Sequence, residues 1–232
     1  MEDNTSSIKF VSDDEVMMID DFFDQEAIEW CVWYFHQFDN QRFNNIKFIQ
    51  ETHWNLPFNK WFGNYVQSRI AEFMPEAKVH SIYIGNDVKP GGIHTDGWLY
   101  PGEIDLAYKT ILIPLKFNVP ASTIIFNERN QKAMTLNQVT GLGYQGIDNM
   151  CQAEVVNASQ LFSKDIHQKY LKHLDINGLS GLTVHSVLDW VPGRAMSWFR
   201  DRWHGPVFFE GAQIDRYHVT IMTHINEKQN HH

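Results

Sequence analysis

The sequence predicts a mainly β domain, an antiparallel barrel or sandwich with helices packed outside it. Three observations predict this. Apolar residues recur at helical spacing in the first 75 positions. After Pro75 they gather instead into short runs of branched and aromatic residues broken by glycine and proline. The chain also carries 43% hydrophobic residues, with eight Trp and sixteen Phe among 232 positions, enough to bury one large core.

Residues 1–14 read as a polar, frayed start, and Glu15–Phe23 (EVMMIDDFF) as an extended run. Asp24 is an N-cap for a helix to about Phe38, because Ile28, Cys31, Phe35 and Phe38 share one face. Residues 39–57 are mixed and Asn-rich, and read as loop. A second helix spans about Asn59 to Met74, with Phe62, Val66, Ile70 and Phe73 aligned, and Pro75 stops it. These 75 residues form a helical support. Strands follow at Val79–Gly85, Lys109–Val119 and Ser122–Phe126. From 127 to 180 the pattern weakens around a Gly-rich turn and a helix at Ser159–His173, which predicts an insertion or lid facing the substrate. Strands return at Leu182–Leu188, Ala195–Phe199, Val207–Phe209 and Ile214–Ile225. The barrel core is thus expected at 78–126 and 181–226, within a single domain over 1–232.

Composition removes several classes of function. Cys31 and Cys151 are far apart and form no CxxC, which excludes a disulfide framework and a cysteine zinc site and points to a reducing, cytoplasmic compartment. No apolar run approaches a membrane span, and the acidic, polar start predicts no signal peptide. A net charge of −9 argues against a broad nucleic-acid footprint. Gly141, Gly143 and Gly146 fit G-x-G-x-x-G, but no clear strand precedes them and no apolar helix follows, so a mobile loop is the better reading.

The chemistry concentrates in His94-Thr95-Asp96, just past a predicted strand and the turn KPGG. Residues separated by one point to the same side of an extended chain, so His94 and Asp96 can reach one metal ion. His204, in WHG after the strand AMSWF, supplies a third ligand. Two imidazoles and one carboxylate on one face of an octahedron leave three positions open, the arrangement of non-haem Fe(II) oxygenases.

From Tyr83 to Ile225 the chain resembles the 2-oxoglutarate/Fe(II) oxygenase superfamily, with the flavour of its phytanoyl-CoA hydroxylase-like and prolyl-hydroxylase-like members. The resemblance lies in YIGNDVKPGGIHTDG, KTILIPLKFN, VPGRAMSWFRDRWHG and IDRYHVTIMTHI, with the opening VMMIDDFFDQEAIEW like the lead-in of many members. It hardly touches the insertion. It implies a double-stranded β-helix (a jelly-roll, cupin-like barrel), Fe(II), 2-oxoglutarate and O2. It implies oxidative decarboxylation of 2-oxoglutarate coupled to hydroxylation, desaturation or cyclisation of a small molecule or a protein side chain. A co-substrate that chelates iron through its 2-oxo acid leaves a far carboxylate inside the barrel, and burying that charge unpaired is very costly. Arg216, in the last strand, can meet it bidentately, with Lys109 and His218 as weaker substitutes. The family's R-x-S pattern is not met, since the sequence reads Arg216-Tyr217-His218, and Tyr83 and Thr110 stand as candidate hydroxyl partners. Trp98 and Tyr100 either floor a substrate pocket or pack the rim; Arg200 and Arg202 either contact an acidic substrate or are solvated loop charges. The alternative reading is a non-catalytic or differently metallated cupin-like binding protein, although the several His and a Glu that cupins draw from two strand motifs are lacking.

Overall fold

Strand β5 (Ala107–Phe117) shows why the chain folds in layers. Its Ile111, Ile113 and Leu115 join one hydrophobic cluster, whereas Leu112 joins another, so both faces of the strand are buried. A strand apolar on both faces belongs at the centre of a sheet, and β5 lies there. The computed structural model describes residues 8–10, 16–38, 47–51, 60–87, 90–96, 107–129, 160–211 and 214–225.

Two antiparallel sheets pack face to face as a jelly-roll. The larger combines β5 with β1 (Ile8–Phe10), β2 (Val16–Ile19), β3 (Lys47–Glu51), β4 (Ala77–Asn86), β8 (Ala195–Phe199) and β10 (Arg216–Ile225), in the order β1-β2-β8-β5-β10-β4-β3. The smaller has the order β7-β6-β9, from β6 (Ser122–Arg129), β7 (Val184–Asp189) and β9 (Arg202–Pro206). Helices α1 (Gln25–Phe38) and α2 (Lys60–Phe73) cover the outer face of the larger sheet, burying Cys31, Phe35, Phe62, Val66 and Ile70 against Ile82, Ile84 and Val219. Burial alone pushes the Cys31 thiol far up, so it is inert packing. Asp24 caps α1, its carboxylate accepting from the Ala27 N–H at 2.8 Å. Between the sheets, Leu112, Met196 and Trp198 meet Ile125, Leu188 and Trp190. None of the described helices is long and apolar enough to cross a membrane.

The structure departs from the sequence reading in four places. Ile8–Phe10, within the stretch read as frayed, pairs with β2. Lys47–Glu51, read as loop, is an edge strand on β4; a short edge strand with mixed polarity carries little periodic signal of its own. Val207–Phe209 lies beyond the ladder, and the paired strand is Arg202–Pro206, which holds His204. Val207 and Phe209 are apolar because they are buried, not because they alternate in a sheet. The expected helix at Ser159–His173 is, among its described residues, a single turn at Lys164–Ile166 capped by Ser163 and continued by a π-helical turn, His167–Leu171. The described part of the insertion packs on the outer face of the smaller sheet, through Phe162, Leu171, Leu174 and Leu179 against Ile124, Phe126 and Trp203. Its Gly141–Gly146 turn lies outside the described residues.

Gly193 ties the N-terminal support to the barrel. It has φ +77°, and a Cβ there would stand 2.5 Å from the Phe23 carbonyl oxygen. Its own carbonyl accepts from Phe23 N–H at 3.0 Å, and its N–H donates to Pro114 O at 2.9 Å. Gly193→Ala is expected to cost about 1–3 kcal/mol from left-handed strain and the backbone clash. Urea unfolding of the variant checks this, with the loss read as a lower midpoint at unchanged slope.

Candidate metal centre

The segment around His94 runs antiparallel to β9 and extends the smaller sheet by one bridge. His94 N–H donates to His204 O and His204 N–H donates to His94 O, both at 2.9 Å. Residues paired in this way present their side chains on one face, and the two imidazole centroids are 4.4 Å apart. Two residues on, Asp96 is fixed by its N–H donating to Arg200 O at 2.8 Å, and its carboxylate falls beside both rings. Asp96 Oδ1 lies 3.8 Å from His94 Nε2, and Oδ2 lies 3.2 Å from His204 Nε2. Among the described residues these three form the one cluster with metal-ligand composition, their donor atoms within 4.8 Å of one another.

Surrounding groups aim the donors. His94 Nδ1 sits 3.1 Å from Gly92 O, and His204 Nδ1 sits 3.0 Å from Arg202 O. With the proton on Nδ1 donating to those carbonyls, each Nε2 keeps a free lone pair for a metal. Trp198 Nε1–H also points at His204 Nδ1 (3.1 Å), a bond that only the other tautomer accepts, so the ring is held tightly in either form. Thr110 Oγ1–H donates to Asp96 Oδ2 at 2.6 Å. Arg200 holds the Asp96 carbonyl oxygen with Nε at 3.1 Å and Nη2 at 2.9 Å. Burial opposes ionisation of Asp96, but His204, His94 and the Thr110 hydroxyl outweigh it and hold the carboxyl well below its usual range. Desolvation, and then the neighbouring His204, lower the His94 pKa, so this imidazole stays neutral at neutral pH. Two imidazoles and a carboxylate fit a divalent transition metal.

Next to this cluster is a cavity of about 230 Å³, walled by Asp87, Thr110, Trp190, His218 and Thr220 as well as the three candidate ligands. Arg216 lies behind one wall with no exposed surface. Its guanidinium is sandwiched between the rings of Trp190 (4.1 Å) and Phe209 (4.0 Å). None of its three nitrogens has a hydrogen-bond partner among the described residues, and burial pushes its pKa down to about 10. Asp87 Oδ2, 3.9 Å from Nη1, compensates the buried charge only in part. A buried cation so placed gains from a closer anion.

The other residues singled out in the sequence fall into place as follows. Tyr83 is half-buried opposite Thr220 on β4 and is not a wall of the cavity. Thr110 is a wall, with its hydroxyl directed at Asp96. Lys109 is buried with its ammonium over the Phe199 ring at 4.8 Å. His218 lines the cavity over Gly85, where an added Cβ would stand 2.9 Å from its ring. Arg200 and Arg202 are neither solvated nor facing the cavity: both are buried, Arg202 donating to Phe126 O at 3.0 Å. Trp98 and Tyr100 lie outside the described residues. Sequence reasoning missed Asp87, Trp190 and Phe209, which reach Arg216 only through the fold.

No protein-family model and no curated protein sequence matches the chain. Solved structures do. The chain is similar to the non-haem α-ketoglutarate-dependent epimerase SnoN from nogalamycin biosynthesis, with TM-score 0.56, 8% identity, and 91% of this chain and 78% of that one covered. It is similar to EctD from S. alaskensis, solved with 2-oxoglutarate and 5-hydroxyectoine, with TM-score 0.55, 11% identity, and 91% and 72% covered. HygX from Streptomyces hygroscopicus, solved with nickel and 2-oxoglutarate, gives TM-score 0.52, 10% identity, and 92% and 83% covered. At such identities the likeness establishes the fold: this chain is a double-stranded β-helix of the kind these oxygenases share.

Thr110→Val removes the hydrogen bond to Asp96 while keeping the side chain's shape. It is expected to weaken Mn(II) or Co(II) binding about 10- to 100-fold, as loss of a partner behind a metal ligand does. Metal titration of the purified variant measures this, and unchanged affinity would remove Thr110 from the centre.

Proposed function

We propose that the chain is an Fe(II)- and 2-oxoglutarate-dependent oxygenase that oxidises a C–H bond of a small molecule or a protein side chain. The observation that carries this reading is a pair of sites built for complementary charges around one cavity. A His/Asp/His face fits a divalent metal, and a buried guanidinium without a hydrogen-bond partner among the described residues fits a carboxylate. A dicarboxylate whose 2-oxo acid reaches the metal and whose far carboxylate reaches Arg216 satisfies both. The likeness to solved 2-oxoglutarate oxygenases supports it at the level of fold.

His94, Asp96 and His204 would hold the iron, which when bound supplies the O2 chemistry coupled to decarboxylation of 2-oxoglutarate to succinate and CO2. The rest belongs to the chain. Thr110 keeps Asp96 ionised and oriented, and Arg200 fixes the backbone that carries it. Trp190 and Phe209 hold the Arg216 guanidinium in one plane, so that its edge can form a forked pair with a carboxylate. Leu112, Trp190 and Trp198 supply the apolar part of a wall otherwise rich in polar side chains. The lid role expected of the insertion at 127–180 rests on the sequence alone, since its described residues pack on the outer face of the smaller sheet. The cavity is smaller than the sites that take drug-sized ligands, which suits a compact co-substrate and leaves the substrate to bind toward the mouth.

Anaerobic titration of Fe(II) and 2-oxoglutarate into the protein is expected to produce the weak visible charge-transfer band of a chelated 2-oxo acid. His94→Ala, Asp96→Ala and His204→Ala should each abolish it. A band that survives in all three variants would overturn the assignment, and metal binding without dependence on 2-oxoglutarate would favour a cupin-like binding protein. A second outcome concerns Arg216. Arg216→Met replaces a buried, only partly compensated cation with an apolar chain, so the ligand-free variant should melt no lower than wild type. Only wild type should gain stability from 2-oxoglutarate, by about 2.7 kcal/mol at a concentration one hundred times Kd. Thermal denaturation with and without the diacid reads both effects.

A further inference from the structure

Arg216 is not open to a ligand in the arrangement seen. Its guanidinium has no exposed surface and forms no part of the cavity wall, whereas Asp87, Trp190 and His218 do. Trp190 and Phe209 cover its two faces, which leaves approach along an edge. Asp87 stands at that edge. Its Oδ2 is 3.9 Å from Arg216 Nη1, close enough for ionic attraction and too far for a hydrogen bond, and 3.8 Å from His218 Nδ1. The main chain of Asp87 is pinned, because its N–H donates to Arg216 O at 3.2 Å. Its side chain is 42% exposed and so has solvent to turn into. The adjacent polar groups are engaged elsewhere: Asn86 Oδ1 accepts from Arg216 N–H at 2.8 Å, and Asn86 Nδ2 donates to Asp215 Oδ1 at 3.3 Å.

We propose that Asp87 is an internal counter-ion to Arg216, which a dicarboxylate must displace to bind, and that it thereby sets the affinity of the pocket for diacids. The inference rests on the co-substrate reading above and adds a chain-specific control to it. While Asp87 faces inward it occupies the edge of the guanidinium; if it stays as a ligand arrives, two carboxylates share one cation and repel. Either way the second carboxylate of the ligand binds more weakly than Arg216 alone would allow. A 2-oxo acid without a far carboxylate, such as pyruvate, has nothing to place there and is indifferent to Asp87. Turning the Asp87 side chain outward costs little, since the backbone stays fixed and one side is already in water. The edge of Arg216 is therefore occupied by a charge pair and freed by competition for it.

The test is calorimetric titration of the Mn(II)-loaded full chain, without O2, using 2-oxoglutarate and pyruvate as probes. Asp87→Asn keeps the shape and removes the charge. It should tighten 2-oxoglutarate about tenfold, equivalent to about 1.4 kcal/mol, and leave pyruvate unchanged. Asp87→Ala should shift 2-oxoglutarate in the same direction. Equal or weaker 2-oxoglutarate binding in both variants overturns the proposal, and so does tightening of pyruvate by the same factor, which would place the effect at the metal. Arg216→Met separates this from failure of the reading beneath it. If Arg216→Met weakens 2-oxoglutarate but the Asp87 variants do nothing, the counter-ion alone is wrong. If wild type and Arg216→Met bind the two probes alike, the co-substrate reading falls and the counter-ion with it.

Discussion

The two reciprocal backbone hydrogen bonds between His94 and His204, both 2.9 Å, bring distant segments of the chain to one point. Main-chain pairing, more than side-chain packing, sets where the imidazoles stand. It works only because the strands can approach closely. A Cβ at Gly205 would lie 2.7 Å from Ile93 Cδ1 and 3.0 Å from Gly92 O, so a larger residue after His204 would push the bridge apart. Asp96 is fixed in the same way, by an N–H bond to Arg200 O, and the Arg200 side chain returns to bind the Asp96 carbonyl. The candidate metal site is thus the closing seam of the smaller sheet. Its geometry follows from the bridge that pairs the His94 segment with β9.

A second constraint is electrostatic. Arg216 lies buried between two aromatic rings without a hydrogen-bond partner among the described residues, a state that burial disfavours strongly enough to lower its pKa. The fold tolerates this because the rings hold the cation from both faces and Asp87 offers partial compensation from the edge. The metal centre is the mirror case: an ionised Asp96, kept so by imidazoles and a hydroxyl, that gains from a cation. The cavity lies between one ionised carboxylate flanked by two imidazoles and a guanidinium that Asp87 compensates only in part. On the proposed reading, a chelating diacid answers both.

Much of this was legible in the sequence, for reasons that differ from element to element. Helix α1 announced itself because its apolar residues repeat at helical spacing and Asp24 caps it. β5 was legible because a strand buried on both faces must be a continuous apolar run. His94 and Asp96 followed from the two-residue period of extended chain, while His204 needed the resemblance of its surroundings to a known family. The edge strand β3 and the ligand strand β9 were not legible. β3 has mixed polarity, and in β9 the residues that pair (Arg202, His204) are polar for chemical reasons. Arg200 and Arg202 show the limit of residue type as a guide: charge suggests solvent, yet both are buried and donate to carbonyl oxygens supplied by other strands. The surroundings of Arg216 were hidden for the same reason, since Trp190, Phe209 and Asp87 meet it only after the sheets close.

The most direct test of this account is a crystal structure of the protein grown with Mn(II) and 2-oxoglutarate. It should show one ion coordinated by His94 Nε2, His204 Nε2 and an Asp96 oxygen, with the diacid chelating that ion and its far carboxylate on Arg216. An ion bound elsewhere, or one that leaves any of the three side chains uncoordinated, would contradict it.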